Sequence, residues 1–243
     1  MRASENAIKI PPTLAIQENA VAQLQVKAYI AQHVIHPYCV QTATGVHISA
    51  PLCYSDYKVL GVAYQRQQES YWCGPASTVE ILAYLGIDES QANMASYEGT
   101  TKSGTYFGNV QGALNYFTPP GNYWLWLIPN VSNYSSDWWN DMYYSLFNRG
   151  KPAVDGIYMS TANNIYIDYN WEVLMKTYSQ NSQVWHIIAS DGLSDSTTVH
   201  QAHFVDSFDD GWPQYQTLGN WWTGQSQMIA TSQAGAGLLW AQQ

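Results

Sequence analysis

The chain predicts an α+β protein: helices come first and pack on an antiparallel sheet built from the residues that follow. Three observations carry this. Apolar residues recur at helical spacing in several segments between residues 17 and 150. From residue 151 onward, short runs rich in Val, Ile, Tyr and Trp are bounded by Gly, Asp, Ser and Thr clusters, as antiparallel strands are. The 243 residues are 46% apolar, enough to bury a core.

Taken in order, "QENAVAQLQVKAYIAQHVI" (17–35) follows the Pro11-Pro12 breaker and places Val21, Leu24, Ala28 and Ala31 at helical spacing. Residues 36–63 alternate irregularly and read as short strands and loops. "PASTVEILAYLG" puts Ala76, Val79, Leu82 and Leu85 on one side, with Gly86 where a C-terminal cap falls, so Cys73 lies at or just before a helix N-terminus. "DESQANMASYEG" and "GNVQGALNYF" read as two further helices, and "SSDWWNDMYYSLFNRG" as another, capped by Ser135 or Ser136 and stopped by Gly150. Strands are expected in "KPAVDGIYM", "NIYIDYNWEV", "VWHIIASDGL", "VHQAHFVDSF" and "GQSQMIATS". The simplest division is an N-terminal extension, residues 1–60, and one domain, residues 61–243.

Composition narrows the function classes. A net charge of −9 with only nine Lys and Arg gives no clustered basic surface for nucleic acid. No apolar run approaches the roughly 18 to 20 residues of a membrane span; "YWLWLI" is strand-sized. Three cysteines suggest one bridge and one free thiol in an extracellular setting. Cys39 and Cys53 flank the polar turn "VQTATGVHISAPL" and form the natural pair, which leaves Cys73 free. Secretion is inferred from that arithmetic, because "MRASENAIKIPP" lacks the apolar core of a signal peptide.

A cysteine at a helix N-terminus feels the positive end of the dipole and unpaired N–H groups, which favour thiolate. Activation then requires an imidazole to take the proton and a third group to orient that imidazole. His186 opens a strand, and the turn "SDSTT" returns a second strand ending at Asp206, so a hairpin brings this carboxylate back towards the ring. The pairs His33/His36 and His200/His203 are weaker as metal sites. Residues three apart on a strand face opposite ways, and no acidic or cysteine cluster accompanies the first pair. No cofactor is called for.

"CGPAS-x-VEILAYLG" preceded by Gln67, then "TTKSGTYFGNVQGALNYF", "WHIIASDGL…AHFVDSFDDGW" and "LGNWWTGQSQMIA" resemble the peptidase C39-like family of papain-like cysteine peptidases over residues 64–232. The resemblance implies the papain-like fold, with Cys73 as nucleophile on a helix N-terminus, His186 as general base, Asp206 as orienting carboxylate and Gln67 as oxyanion donor. Gln65 and Gln68 are neighbouring alternatives for the last role, and Asp191, Asp209 and Asp210 for the third. The substrate implied is a peptide or protein. The same constellation also fits an amidase, a transglutaminase-like acyl transferase or a cell-wall peptide hydrolase. A reading from a different class is a non-catalytic glycan-binding domain using "DWWNDMYY" and "GNWW". The extension is expected to dock its helix on the domain and to cover the cleft like a retained pro-segment.

Overall fold

A computed structural model describes residues 39–40, 52–53, 56–120, 124–160, 165, 183–195, 200–208 and 220–242. In chain order its elements are β1 (Cys39–Val40), β2 (Leu52–Cys53), β3 (Asp56–Val59), α1 (Cys73–Tyr84), α2 (Gln91–Tyr97), α3 (Phe107–Phe117), β4 (Trp124–Leu127) and α4 (Tyr134–Tyr143), which runs into a π-helical turn over Tyr144–Asn148. There follow β5 (Ala153–Ser160), β6 (Gln183–Asp195), β7 (His200–Val205), β8 (Asn220–Gly224), α5 (Gln225–Ala234) and β9 (Gly237–Ala241). The helix anticipated over residues 17–35, its suggested role as a lid and the strand "NIYIDYNWEV", apart from Ile165, lie outside the described residues. β3, at the end of the anticipated extension, pairs with β6.

Seven strands form one antiparallel sheet in the order β4-β9-β5-β6-β7-β8, with β3 also on β6. The 13-residue β6 is its spine. Residues 183–190 of β6 pair with β5 and residues 192–195 with β3, while β7 runs along the opposite edge. Strand alternation divides the core in two. Ile187, Ala189, Val205 and Leu239 meet Val79, Leu82, Val110 and Leu114 of α1 and α3. Ile188, Phe204, Leu238 and Trp240 meet Trp138, Met142, Met228 and Ile229 of α4 and α5. Both faces are covered, which is why "GLLWA" is buried at every position.

Two expectations are corrected. "GQSQMIATS" is not a strand: Gln225–Ala234 is helical, and its buried residues Met228, Ile229, Thr231 and Ser232 follow the three- and four-residue spacing of a helix face, not alternation. The strand at that end of the chain is β9. The cap of α4 is Asn133 rather than Ser135 or Ser136, and the helix starts at Tyr134. Gly150 does end that segment, with φ of +62°.

Asp155 of β5 fastens the second core layer. Its Oδ1 accepts from Trp138 Nε1 at 2.9 Å and Ser232 Oγ at 2.6 Å, and its Oδ2 accepts from Ser190 Oγ at 2.6 Å. Tyr134 extends the network by a 2.7 Å hydroxyl contact with Ser232. One carboxyl thus ties α4, β6 and α5 to β5. Burial raises its pKa, and the bonds from Ser190, Ser232 and Trp138 draw it back. The same contacts place Trp138 of "DWWNDMYY" in the core and not on a glycan-facing surface. Among the described residues no helix is long and apolar enough to cross a membrane. Asp155→Ala is expected to cost at least about 3 kcal/mol, because each buried donor left unsatisfied costs about 1–3 kcal/mol; the midpoint of guanidinium unfolding measures it.

Candidate active site

Cys73 is the first residue of α1. The residue before it, Trp72, makes no side-chain cap, and the first turn contains no acidic side chain. Pro75 offers no N–H and fits the first turn, where none is needed. Nothing in that turn therefore offsets the positive end of the helix. Gly74 is required by packing: a Cβ there would lie 2.7 Å from the Cβ and Oγ1 of Thr105, in the loop between α2 and α3.

His186 and Asp206 meet across the β6–β7 hairpin, where Ala189 registers with Val205. The bond from His186 Nε2 to Asp206 Oδ1 is 2.7 Å, and both side chains are buried. The same oxygen accepts from Phe208 N at 2.8 Å, which fixes the carboxyl plane. Cys73 lies near enough to the same imidazole to act on its charge. With Nε2 committed to Asp206, Nδ1 is the ring nitrogen left for sulfur. Burial lowers the histidine's pKa, but the Asp206 charge, its hydrogen bond and the contacts with Cys73 outweigh that and raise it to about 10.

Gln67 is the one buried residue among Gln65, Gln67 and Gln68. Its N–H donates to Ser207 O at 2.8 Å, and its Oε1 accepts from Ser207 Oγ at 3.4 Å. Its Nε2 donates at 3.0 Å to Glu69 O, which also accepts from Trp72 N at 3.0 Å. An unbroken run of neighbours thus joins Cys73, His186, Asp206, Ser207 and Gln67, and returns through Glu69 and Trp72 to Cys73.

Other candidates fall elsewhere. Asp191 Oδ1 bonds His203 Nδ1 at 2.5 Å and does not bond His186. Asp209, Asp210, His33 and His36 lie outside the described residues. His200 is exposed while His203 is held by Asp191, and among the described residues no three metal-ligating side chains gather. Cys73 is a free thiol. Cys39 and Cys53 are register partners of β1 and β2, and their side chains lie outside the described residues.

Of three buried acids around this site, Glu80 and Glu98 were not anticipated, and Asp191 takes a role other than the one it was offered for. Asp191 sits at a bulge between β6 and β7 and turns its Oδ2 to Gly61 N at 3.1 Å and Val62 N at 2.9 Å. Glu80, two helical turns after Cys73, accepts from Gln65 N at 2.8 Å; burial foremost raises its pKa well above the usual carboxyl range. Its one sequence signal was a lone acid amid the aliphatic run of α1. Glu98, after α2, accepts from Thr78 Oγ1 of α1 at 2.6 Å, and burial raises its pKa to about 8 against bonds from Thr78 and Thr105.

A cysteine opening a helix that packs on an antiparallel sheet, with a histidine delivered by that sheet, is the architecture of a papain-like cysteine peptidase. Within that class the chain belongs to the Peptidase_C39 like family, whose model matches residues 59–220. Among solved structures it is similar to a putative C39-like peptidase from Bacillus anthracis, with 13% identity over 76% of this chain and 97% of that one and a TM-score of 0.48. It is also similar to the peptidase domain of Streptococcus ComA, a bifunctional ABC transporter involved in quorum sensing, with 13% identity, 73% and 95% coverage and a TM-score of 0.43. Digestive procathepsin L 3 of Tenebrio molitor larval midgut gives 11% identity, 99% and 94% coverage and a TM-score of 0.45. No curated protein matches the chain.

Glu98 makes stability pH-dependent in a defined direction. A carboxyl whose folded pKa is raised from 4.5 to about 8 favours the folded state most at pH 4.5 and below, and that contribution is lost as pH climbs to about 8. Glu98→Gln, which cannot ionise, is expected to flatten the fall in melting temperature between those pH values. An unchanged slope in the variant would contradict this.

Proposed function

We propose that this protein is a secreted cysteine peptidase that hydrolyses peptide bonds through Cys73, His186 and Asp206, with Gln67 donating to the oxyanion. The observation that carries the reading is the closed run of contacts joining these four residues through Ser207, Glu69 and Trp72.

In this reading Cys73 and His186 rest as thiolate and imidazolium. Sulfur attacks the scissile carbonyl carbon, and the carbonyl electron pair moves to oxygen. That oxygen is met by the Cys73 backbone N–H and by Gln67 Nε2, whose other hydrogen is directed to Glu69 O. The tetrahedral intermediate collapses as the C–N bond breaks, and His186 gives its proton to the leaving amine. Water, deprotonated by neutral His186, then attacks the thioester and releases the acid and the thiol sulfur. Asp206 holds the ring by Nε2 throughout and stabilises its cationic form.

Outside the cell, a Cys39–Cys53 bridge would brace the segment ahead of the domain, and the β1–β2 register supports that part of the reading. Such a bridge stabilises by about 2 to 4 kcal/mol. Mass mapping under non-reducing conditions should recover peptides containing Cys39 and Cys53 joined, with Cys73 alone; Cys73 in a bridge would overturn both assignments.

The mechanism is tested with a diverse peptide library cleaved by wild type and not by Cys73→Ala. Iodoacetamide should label Cys73 faster than a free thiol near neutral pH, and His186→Ala should remove both that advantage and turnover. Asp206→Asn should be milder and should shift the alkaline loss of activity to lower pH, because the Asp206 charge foremost raises the histidine's pKa to about 10. Gln67→Ala should lower turnover by about 10²–10³-fold while leaving labelling alone. Labelling of folded wild type no faster than a free thiol would refute the ion-pair mechanism.

A further inference from the structure

Gln67 lies on a segment, Leu60–Gln68, that has no strand or helix to fix it. Side chains from other elements take the place of a neighbouring strand. Asp191 receives the N–H groups of Gly61 and Val62, and Glu80 receives that of Gln65. The grip is tightest around Gln67 itself. Gln91, the first residue of α2 and almost fully buried, accepts from Gln68 N at 2.9 Å through Oε1 and donates to Arg66 O at 2.9 Å through Nε2. One amide therefore clasps the main chain immediately before and immediately after Gln67, while Ser207 O holds Gln67's own N–H at 2.8 Å.

We propose that Gln91 is a positioning residue for the oxyanion donor: by clasping Arg66 and Gln68 it fixes the peptide planes that aim the Gln67 amide. This rests on the oxyanion role given to Gln67 above. The side-chain chemistry is specific. An amide supplies one donor and one acceptor in the same plane, which Arg66 O and Gln68 N require together; carboxylate supplies acceptors only, and an apolar chain supplies neither. Accurate aim matters because a displacement of about 1 Å in a reacting group can cost about 10²-fold in rate.

The test uses p-nitrophenyl acetate on the full chain. The Cys73 sulfur forms a bond to the acetyl carbon, the C–O bond breaks, and p-nitrophenolate leaves with the electron pair; Cys73→Ala gives the background. Gln91→Met keeps side-chain length and removes donor and acceptor. Its acylation rate should fall about tenfold or more, with iodoacetamide labelling unchanged, since alkylation at sp³ carbon forms no oxyanion. Gln91→Glu, which keeps the acceptor for Gln68 N, should fall between wild type and Gln91→Met. In a Gln67→Ala background, Gln91→Met should cost nothing further, because it acts through the missing amide. An equal loss in both backgrounds, or labelling that falls in step with acylation, would overturn the positioning role and leave a merely structural one. If Gln91→Met does not fold, Gln91→Glu is carried through the same two backgrounds with the same criteria. Unchanged acylation in Gln67→Ala alone would instead remove the oxyanion reading itself, and this inference with it.

Discussion

The rest of the site depends on one buried contact, the 2.7 Å bond between His186 and Asp206. An isolated ionised group in a protein interior is expensive, and breaking a buried pair by removing one partner leaves the other charge uncompensated. The bond therefore dictates its surroundings. Asp206 follows directly on β7, so it can face a residue of β6 only if the hairpin holds its register, and Phe208 N must occupy the carboxyl oxygen that His186 shares. The next residue, Ser207, passes that rigidity to Gln67 through its carbonyl. A constraint on one ion pair thus becomes a constraint on a segment more than a hundred residues earlier in the chain.

That transfer runs through side chains because the segment bearing Gln67 has no ladder of its own. Main-chain N–H groups at a buried site need partners, and where no strand supplies them Asp191, Glu80 and Gln91 do so for Gly61, Val62, Gln65 and Gln68. Asp191 can serve because β6 bulges there, which turns a strand residue out of alternation and towards both His203 and the passing chain. Gly192 follows, where a Cβ would lie 2.8 Å from Lys58 O and 2.9 Å from His203 Cβ. The bulge and the glycine together let β3, β7 and the Gln67 segment converge on β6.

What could be read from the sequence was what is local. The helix opened by Cys73 follows from spacing and Gly86, and the His186–Asp206 meeting follows from one hairpin turn, so no distant contact had to be guessed. Gln67 was identifiable only through family resemblance, because its placement depends on Ser207, Glu69 and Gln91, which are joined in space and not by any pattern. Asp191 looked like a rival to Asp206 for the same reason: two acids near one strand are distinguished by a bulge, which leaves no periodic signature. "GQSQMIATS" was mistaken for a strand because its apolar centre, Met228-Ile229-Ala230, is short, and it is Ser232 facing Tyr134 and Asp155 that reveals the helical face. Glu80 had a weak signal, since an acid in an aliphatic helix is ordinarily placed towards solvent, and Glu98 sits at the end of a polar helix, where an acid draws no notice.

Those hidden acids bear on the charge of the site. Asp206 and a protonated His186 cancel one another, so the pair adds no net charge to the interior. Glu80 senses both, together with Asp191, and an ionised Glu80 would leave a negative charge without a cation. Burial foremost drives its carboxyl towards the neutral form, and the repulsion from Asp206 and Asp191 acts the same way, against the attraction of His186 and the bond from Gln65 N. A neutral Glu80 still accepts from Gln65 N, so it holds the segment leading to Gln67 without unbalancing the imidazolium. In the proposed mechanism the negative charge on Cys73 meets two positive features among the described residues, the uncapped end of α1 and the ring of His186. In the proposed mechanism structural support and catalytic electrostatics sit on different acids: Glu80, which braces the segment, is pushed towards neutrality, and Asp206 is the acid that bonds the histidine.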